Sequence, residues 1–331
     1  MLRMPPFQVH NPATVAEAVD LRARLPESLF VAGGTDLLPN LKHWLHQPAH
    51  LVHVGGLPEL CGIRRQPDGT LLLGAGTTLH ELATSSAVAD APALPLAASL
   101  VAGPQHRTMG TLGGNVMLDT RCLFYNQTAD WRKAVGFCLK KDGDWCHVIG
   151  SGKSCVAAQS SDTVPVLLAL GARLRFETPS GPLELALADL YQKDGRFDLA
   201  RDIDPRALLT TVIVPPRPPG HRSTYRKVRA RAAVDYPQLG VAVVANFEGD
   251  LLAAIDIVVG AILPQPKHVD LDGATGRPLD DTAIATIAER VFKQIKPQTN
   301  VHGSPEWRRH LARVETARAL RQLRDERSRA F

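Results

Sequence analysis

Four of the five cysteines in this 331-residue chain are Cys122, Cys138, Cys146 and Cys155, with 15, 7 and 8 residues between them. Thiolates are the soft ligands of zinc and of iron–sulfur centres. A zinc ribbon or knuckle normally shows at least one closely spaced cysteine pair, and this set shows none. Loose spacing suits a cubane [4Fe–4S] cluster, which takes one cysteine per iron. A loop of this length with no periodic pattern is implausible in a compact domain unless something holds it. Spacing alone leaves three states open: an iron–sulfur cluster, a structural zinc, or unliganded thiols. His147, beside Cys146, reads as a loop histidine. Cys61, in an expected strand, reads as a buried small hydrophobe.

The second chemical signal is a pair of glycine-rich turns, Gly33-Gly34-Thr35-Asp36 and Thr111-Leu112-Gly113-Gly114-Asn115. Neither is a Rossmann fingerprint, so a nicotinamide site gains no support. A Gly-Gly turn lacks Cβ atoms, so its N–H groups can cradle an anion such as a diphosphate. Thr35, Thr111 and Asn115 add side-chain donors. Ser160-Ser161-Asp162 has no histidine at a suggestive position, and no nucleophile–base constellation appears. Any chemistry here comes from a bound group.

Composition narrows the classes further. The formal charge is +5, but eight arginines and four acidic residues fall between Glu306 and Phe331. The rest of the chain is close to neutral, which argues against a nucleic-acid surface. No apolar stretch approaches the roughly 18 residues of a membrane span, and no secretory signal is evident. The expectation is a cytoplasmic protein with reduced thiols.

The elements that must position these residues read as an α/β fold in three parts. Residues 1–57 form a small α/β unit with a capping box at Thr14-Val15-Ala16-Glu17, strands at Leu29–Ala32 and Leu51–Val54, and a helix over Leu37–Leu45. Residues 58–215 carry hairpins turning at Pro67-Asp68-Gly69 and Pro179-Ser180-Gly181, helical stretches near 78–83 and 86–100, and the cysteine segment. A proline-rich link precedes 216–331, which reads as three strands and two helices. The last helix shows an apolar stripe of Trp307, Leu311, Val314, Ala317 and Leu320.

Four motifs in order carry a resemblance: Ala32-Gly33-Gly34-Thr35-Asp36-Leu37, Gly74-Ala75-Gly76-Thr77, Thr111-Leu112-Gly113-Gly114-Asn115 and Ser161-Asp162-x2-Pro165. Together they resemble the FAD-binding subunits of the xanthine dehydrogenase family of molybdenum hydroxylases, over nearly the whole chain. The resemblance implies a two-part FAD-binding domain and a C-terminal α/β domain with a small antiparallel sheet. It implies that Phe30, Val31, Ala32, Gly33, Gly34, Thr35, Asp36 and Leu37 wrap the FAD diphosphate. Thr111, Gly114 and Asn115 would hold it from the second unit, and Asp162 would accept hydrogen bonds from cofactor hydroxyls. Lys227 would approach the flavin, and Val101 would pack on its ring system.

One departure stands out. The Gly-Gly-Asn turn and the Ser-Asp pair are normally within about ten residues, whereas Asn115 and Asp162 are 47 positions apart. The extra segment, about 116–160, holds all four clustered cysteines. It is similar to the insertion of the 4-hydroxybenzoyl-CoA reductases, which carries an additional [4Fe–4S] cluster. That likeness implies ligation by Cys122, Cys138, Cys146 and Cys155, and ferredoxin as electron donor. It further implies partner subunits with [2Fe–2S] clusters and the molybdenum cofactor, assembled as a dimer of heterotrimers, with dehydroxylation to benzoyl-CoA. Arg121, Arg132, Lys133, Lys140, Lys141 and Lys153 would offset cluster charge or dock the acidic donor.

Overall fold

The computed structural model describes residues 2–196, 200–299 and 303–328. Strands β1 (Gln8–His10), β2 (Ser28–Val31) and β3 (His50–His53) form a parallel sheet ordered β1-β3-β2. Helix α1 (Val15–Arg24) lays Val15, Ala18 and Val19 against Val52 and Val54. Its start departs from a full capping box. Thr14 Oγ1 accepts from the Glu17 N–H at 3.1 Å, but the Glu17 carboxylate takes the N–H of Ala13, not of Thr14. After β2 the chain turns through Gly33–Asp36 into α2 (Leu37–Lys42), shorter than the expected helix.

The second unit is an antiparallel sheet ordered β4-β5-β8-β6-β7, from Ile63–Arg65, Leu71–Gly74, Arg173–Thr178 (β6), Gly181–Ala186 (β7) and Leu208–Val214 (β8). Both expected hairpins are present, β4 with β5 and β6 with β7. Helices α3 (Leu79–Thr84), α4 (Ala93–Ser99), α5 (Pro104–Arg107) and α6 (Leu112–Val116) follow β5. The full capping box of this chain sits at Thr78 and Glu81, opening α3. The expected helix over 86–100 starts only at Ala93, after Pro92. Cys61 is corrected: it is exposed, because β4 begins at Ile63 and Cys61 ends a short turn of 3-10 helix.

The insertion is a closed excursion. It contains α7 (Ala129–Ala134), and α8 (Thr163–Ala169) follows its return. Asn115 Oδ1 accepts from Ser161 Oγ at 2.6 Å and from Thr163 Oγ1 at 2.7 Å, so the chain leaves and re-enters the fold at one place. Just outside, Arg121 and Ala158 exchange both backbone hydrogen bonds and form a neck. Leu187–Leu190 is α9, and Tyr191 beyond it reaches back to the Val116 carbonyl.

The C-terminal sheet is antiparallel, β12-β11-β10-β9, from His221–Val228, Leu239–Glu248, Leu251–Gly260 and Lys267–His268, with β13 (Arg277–Pro278) also on β11. Central β10 is buried on both faces, which explains its unbroken apolar run. Val241, Val243 and Ala245 pack under α10 (Asp281–Gln294) and α11 (Pro305–Ser328), while Ala242 and Val244 join the core of the second unit. The face of α11 is rotated from the expected stripe. Trp307 is 43% exposed, whereas Ala312, Thr316, Ala319, Leu320 and Leu323 are buried with Arg308. Arg308 is inside because its guanidinium serves the carbonyls of Gln238, Gln298 and Ala261. Burial lowers its pKa to about 10, which leaves it charged at neutral pH. No helix among the described residues is long and apolar enough to cross a membrane.

Candidate functional site

The first glycine turn is built as an anion cradle. Gly34 has φ +68°, the left-handed conformation that turns successive N–H groups to one side. Among the described residues, no protein acceptor takes the N–H groups of Gly33, Gly34, Thr35 or Asp36. Gly33 is held against the second turn. A Cβ there would lie 1.8 Å from the Met109 carbonyl oxygen, so only glycine lets the two turns meet. Gly33→Ala is therefore expected to destabilise the fold by about 1–3 kcal/mol through overpacking. Urea unfolding of the variant against Gly110→Ala, whose Cβ contacts start at 3.0 Å, measures this.

The second turn is tied inward. Thr111 Oγ1 accepts from the Gly114 N–H at 3.1 Å, and the N–H groups of Leu112 and Gly113 go to Thr77 and Ala75. Asn115 spends its carbonyl oxygen on Ser161 and Thr163. The turn thus braces the return of the insertion, and among the described residues the Asn115 NH₂ donates to no protein group.

Asp162 lies deeper than the sequence suggested. Its Oδ2 accepts from Lys227 Nζ at 2.7 Å and its Oδ1 from Tyr225 Oη at 2.9 Å. Each oxygen takes one protein donor and keeps a second lone pair, and the carboxylate fixes Lys227. Lys227 Nζ also donates to the Leu100 carbonyl at 2.9 Å, beside Val101. Burial pushes the Asp162 carboxyl up to about 6, against the pull of Lys227 and Tyr225. Tyr225 is raised well above its usual range by burial and by Asp162. Sequence reading missed this tyrosine's role. Its signal was Gly240 inside β10, where a Cβ would sit 2.4 Å from the Tyr225 hydroxyl.

The four clustered cysteines converge. Cys122, Cys138, Cys146 and Cys155 all line one small cavity. Phe124, Tyr125, His147 and Lys140 complete much of its wall. Burial raises the Cys122 thiol and pushes Cys155 up to about 12. No three His, Cys, Asp or Glu side chains among the described residues are placed to grip a single metal ion. His147 turns its Nε2 to the Phe137 carbonyl, in keeping with a loop histidine.

Two of the basic residues expected at the surface are inside. Lys140 Nζ is buried and donates to Asp119 at 2.9 Å, Thr120 at 2.8 Å and the Gly195 carbonyl at 2.6 Å. Arg132 is buried against Asp142 and the Trp44 carbonyl. They organise the insertion and cannot dock a partner. Lys133 and Lys153 are exposed.

Known proteins place this architecture. Residues 5–217 match the family described as "FAD binding domain in molybdopterin dehydrogenase". The chain belongs to the FAD-binding subunits of the molybdenum hydroxylases. Residues 223–323 match the "CO dehydrogenase flavoprotein C-terminal domain". The flavin subunit is 28% identical to the xanthine dehydrogenase FAD-binding subunit of Escherichia coli, covering 94% of each chain. It is 31% identical to the aldehyde oxidoreductase FAD-binding subunit PaoB of Escherichia coli, covering 88% of this chain and 94% of that one. The crystal structure of a cyanide-inactivated Cu,Mo-CO dehydrogenase superposes with a TM-score of 0.78 at 26% identity, covering 98% and 99% of the two chains. The α/β fold class and the oxidoreductase-subunit assignment stand on these matches.

Proposed function

We propose that this flavin subunit also carries a [4Fe–4S] cluster on Cys122, Cys138, Cys146 and Cys155. The observation that supports this is the convergence of four sequence-distant thiols on one cavity. A tetrahedral zinc would need its sulfurs about 2.3 Å from one point. Thiols that surround a space without closing on a point suit a polynuclear centre better.

In this reading the Phe30–Leu37 segment holds the FAD diphosphate on its free N–H groups. Thr111, Gly114 and Asn115 flank it, and Lys227 and Val101 face the flavin. The cluster supplies one-electron transfer and FAD the exchange between one- and two-electron steps. The chain's own part is to fix both groups and exclude water around them. Partner subunits would hold [2Fe–2S] clusters and the molybdenum cofactor, with the active site there and the whole in the cytoplasm as a dimer of heterotrimers. The insertion's likeness to that of the 4-hydroxybenzoyl-CoA reductases supports a reductive reaction. The para hydroxyl leaves as water while two electrons and two protons are taken up, and a ferredoxin supplies the electrons. The names of the relatives support a second reading, a subunit of a hydroxylase that oxidises a purine, an aldehyde or an aromatic, with the cluster as an electron outlet.

Iron, acid-labile sulfide, zinc and flavin are to be measured on protein purified without oxygen. The expected result is about four irons and four sulfides with one FAD per chain. One zinc and no sulfide overturns the cluster. Turnover of 4-hydroxybenzoyl-CoA by the assembled enzyme, against a purine and an aldehyde, separates the two reactions. Charge reversal at Lys133 and Lys153 should slow reduction by ferredoxin and leave reduction by a small dye unchanged.

A further inference from the structure

A dinucleotide diphosphate carries two negative charges, yet the turn that offers it N–H groups ends in a carboxylate, Asp36. The compensating cation comes from the insertion. Arg121 stands at the neck, next to Cys122, with its backbone paired to Ala158. Its Nη2 meets Asp36 Oδ1, its Nη1 lies 3.5 Å from Asn40 Oδ1, and its guanidinium sits 5.3 Å from the centre of the Tyr236 ring.

The side chain is only 10% exposed, and its Nε is buried with no hydrogen-bond partner among the described residues. A guanidinium has five N–H donors, and a buried donor without an acceptor is costly. Such a fork beside four free backbone N–H groups matches the oxygens of a phosphate, which guanidinium binds bidentately. Asp36 holds the fork at the turn.

We propose that Arg121 is a further FAD-binding residue, donating to the diphosphate held at Gly33–Asp36. This rests on the reading that FAD lies on that turn. The insertion then does more than house thiols: the residue before Cys122 completes the flavin site, and both cofactors depend on one neck.

The test is titration of the deflavinated full-length chain with FAD, ADP and riboflavin. Arg121→Met should weaken FAD and ADP about tenfold to a hundredfold, the loss typical of one charge-assisted hydrogen bond. Riboflavin, which has no diphosphate, should bind as before. Arg24→Met, at an exposed cation on α1 away from the turn, should bind FAD and ADP as the parent does. Weakening of riboflavin by Arg121→Met as large as that of FAD would show that Arg121 only supports the local fold, and would overturn the proposal. Parent-like FAD and ADP binding by Arg121→Met overturns it as well. Should that variant fail to fold, Arg121→Lys carries the same test, because it keeps the charge and loses the fork. A parent chain that takes up FAD but no ADP would instead overturn the placement of the diphosphate on the turn.

Discussion

Replacing Lys227 by methionine is expected to cost about 3–5 kcal/mol of folding stability at pH 7, the usual penalty for breaking a buried ion pair from one side. Lys227 and Asp162 are both almost fully buried and 2.7 Å apart. Without the ammonium, Asp162 keeps only the Tyr225 hydroxyl as a hydrogen-bond partner, and only the weaker influence of Arg229 opposes its charge. The penalty should be pH-dependent, and the sign follows from the carboxyl itself. Its pKa is raised to about 6 in the folded chain from 3.8, so the folded state binds the proton more tightly. The stability from that proton is full below about 3.8 and lost as pH rises through about 6. Removing Lys227 takes away the largest influence that lowers this pKa. The variant should therefore recover stability on acidification, starting at higher pH than the parent. Asp162→Asn with Lys227→Met should restore most of the loss at pH 7 and flatten the slope, since a neutral pair needs no counter-charge. Urea unfolding from pH 5 to 8 reads all three. If Lys227→Met matches the parent at pH 7, the pair does not hold these two units together. FAD content, measured alongside, separates stability from any part Lys227 has at the flavin.

That pair also shows where sequence reading stopped. The motif around Ser161 and Asp162 and the Tyr225-Arg226-Lys227 run were both visible, but nothing in either says that they meet. Their contact is set by strand register: Lys227 lies opposite Gly240, and the missing side chain at Gly240 gives Tyr225 room to reach Asp162. Local patterns served well where the chain makes local structure. Turn chemistry at Pro67-Asp68-Gly69 and Pro179-Ser180-Gly181 marked both hairpins, and the apolar run of β10 marked a strand, which the fold buries on two faces. They failed where long-range hydrogen bonding overrides polarity. Arg308, Arg132 and Lys140 look like surface cations, yet each is buried by carbonyls or carboxylates from distant segments. The same limit hid Arg121. Its position in an irregular loop gave no hint that its side chain reaches back 85 residues to Asp36.

With the proposed [4Fe–4S] cluster in place, serine at any one of Cys122, Cys138, Cys146 or Cys155 is expected to remove the whole centre, taking iron from about four per chain to less than one. Each iron of a cubane has a single cysteine, and serine's hydroxyl is a poor substitute for thiolate. The same substitution at Cys61 should leave iron unchanged, because Cys61 is exposed and lies outside the cavity. The consequence for folding is local. The cavity wall joins three stretches of the excursion: the Cys122 turn, the Cys138–Cys146 loops and the irregular segment at Cys155. Cys138 is tied to Lys141 and Gly143, Cys146 to Ser151 and Gly150, and Cys155 to Gly195, each by short backbone bonds within its own loop or to one neighbour. The proposed centre would add cross-links between these loops to those that Lys140 and Arg132 already make, and metal binding in such segments is also folding free energy. Limited proteolysis should therefore cut the serine variants between 122 and 155 much faster than the parent, while the flanking sheets stay protected. Flavin loss should be smaller than iron loss, because the Gly33–Asp36 turn belongs to the first unit and keeps its contact with Met109. Full iron retention by any one of the four variants would remove that cysteine from the ligand set. Retention by all four would leave the convergence of thiols as packing alone.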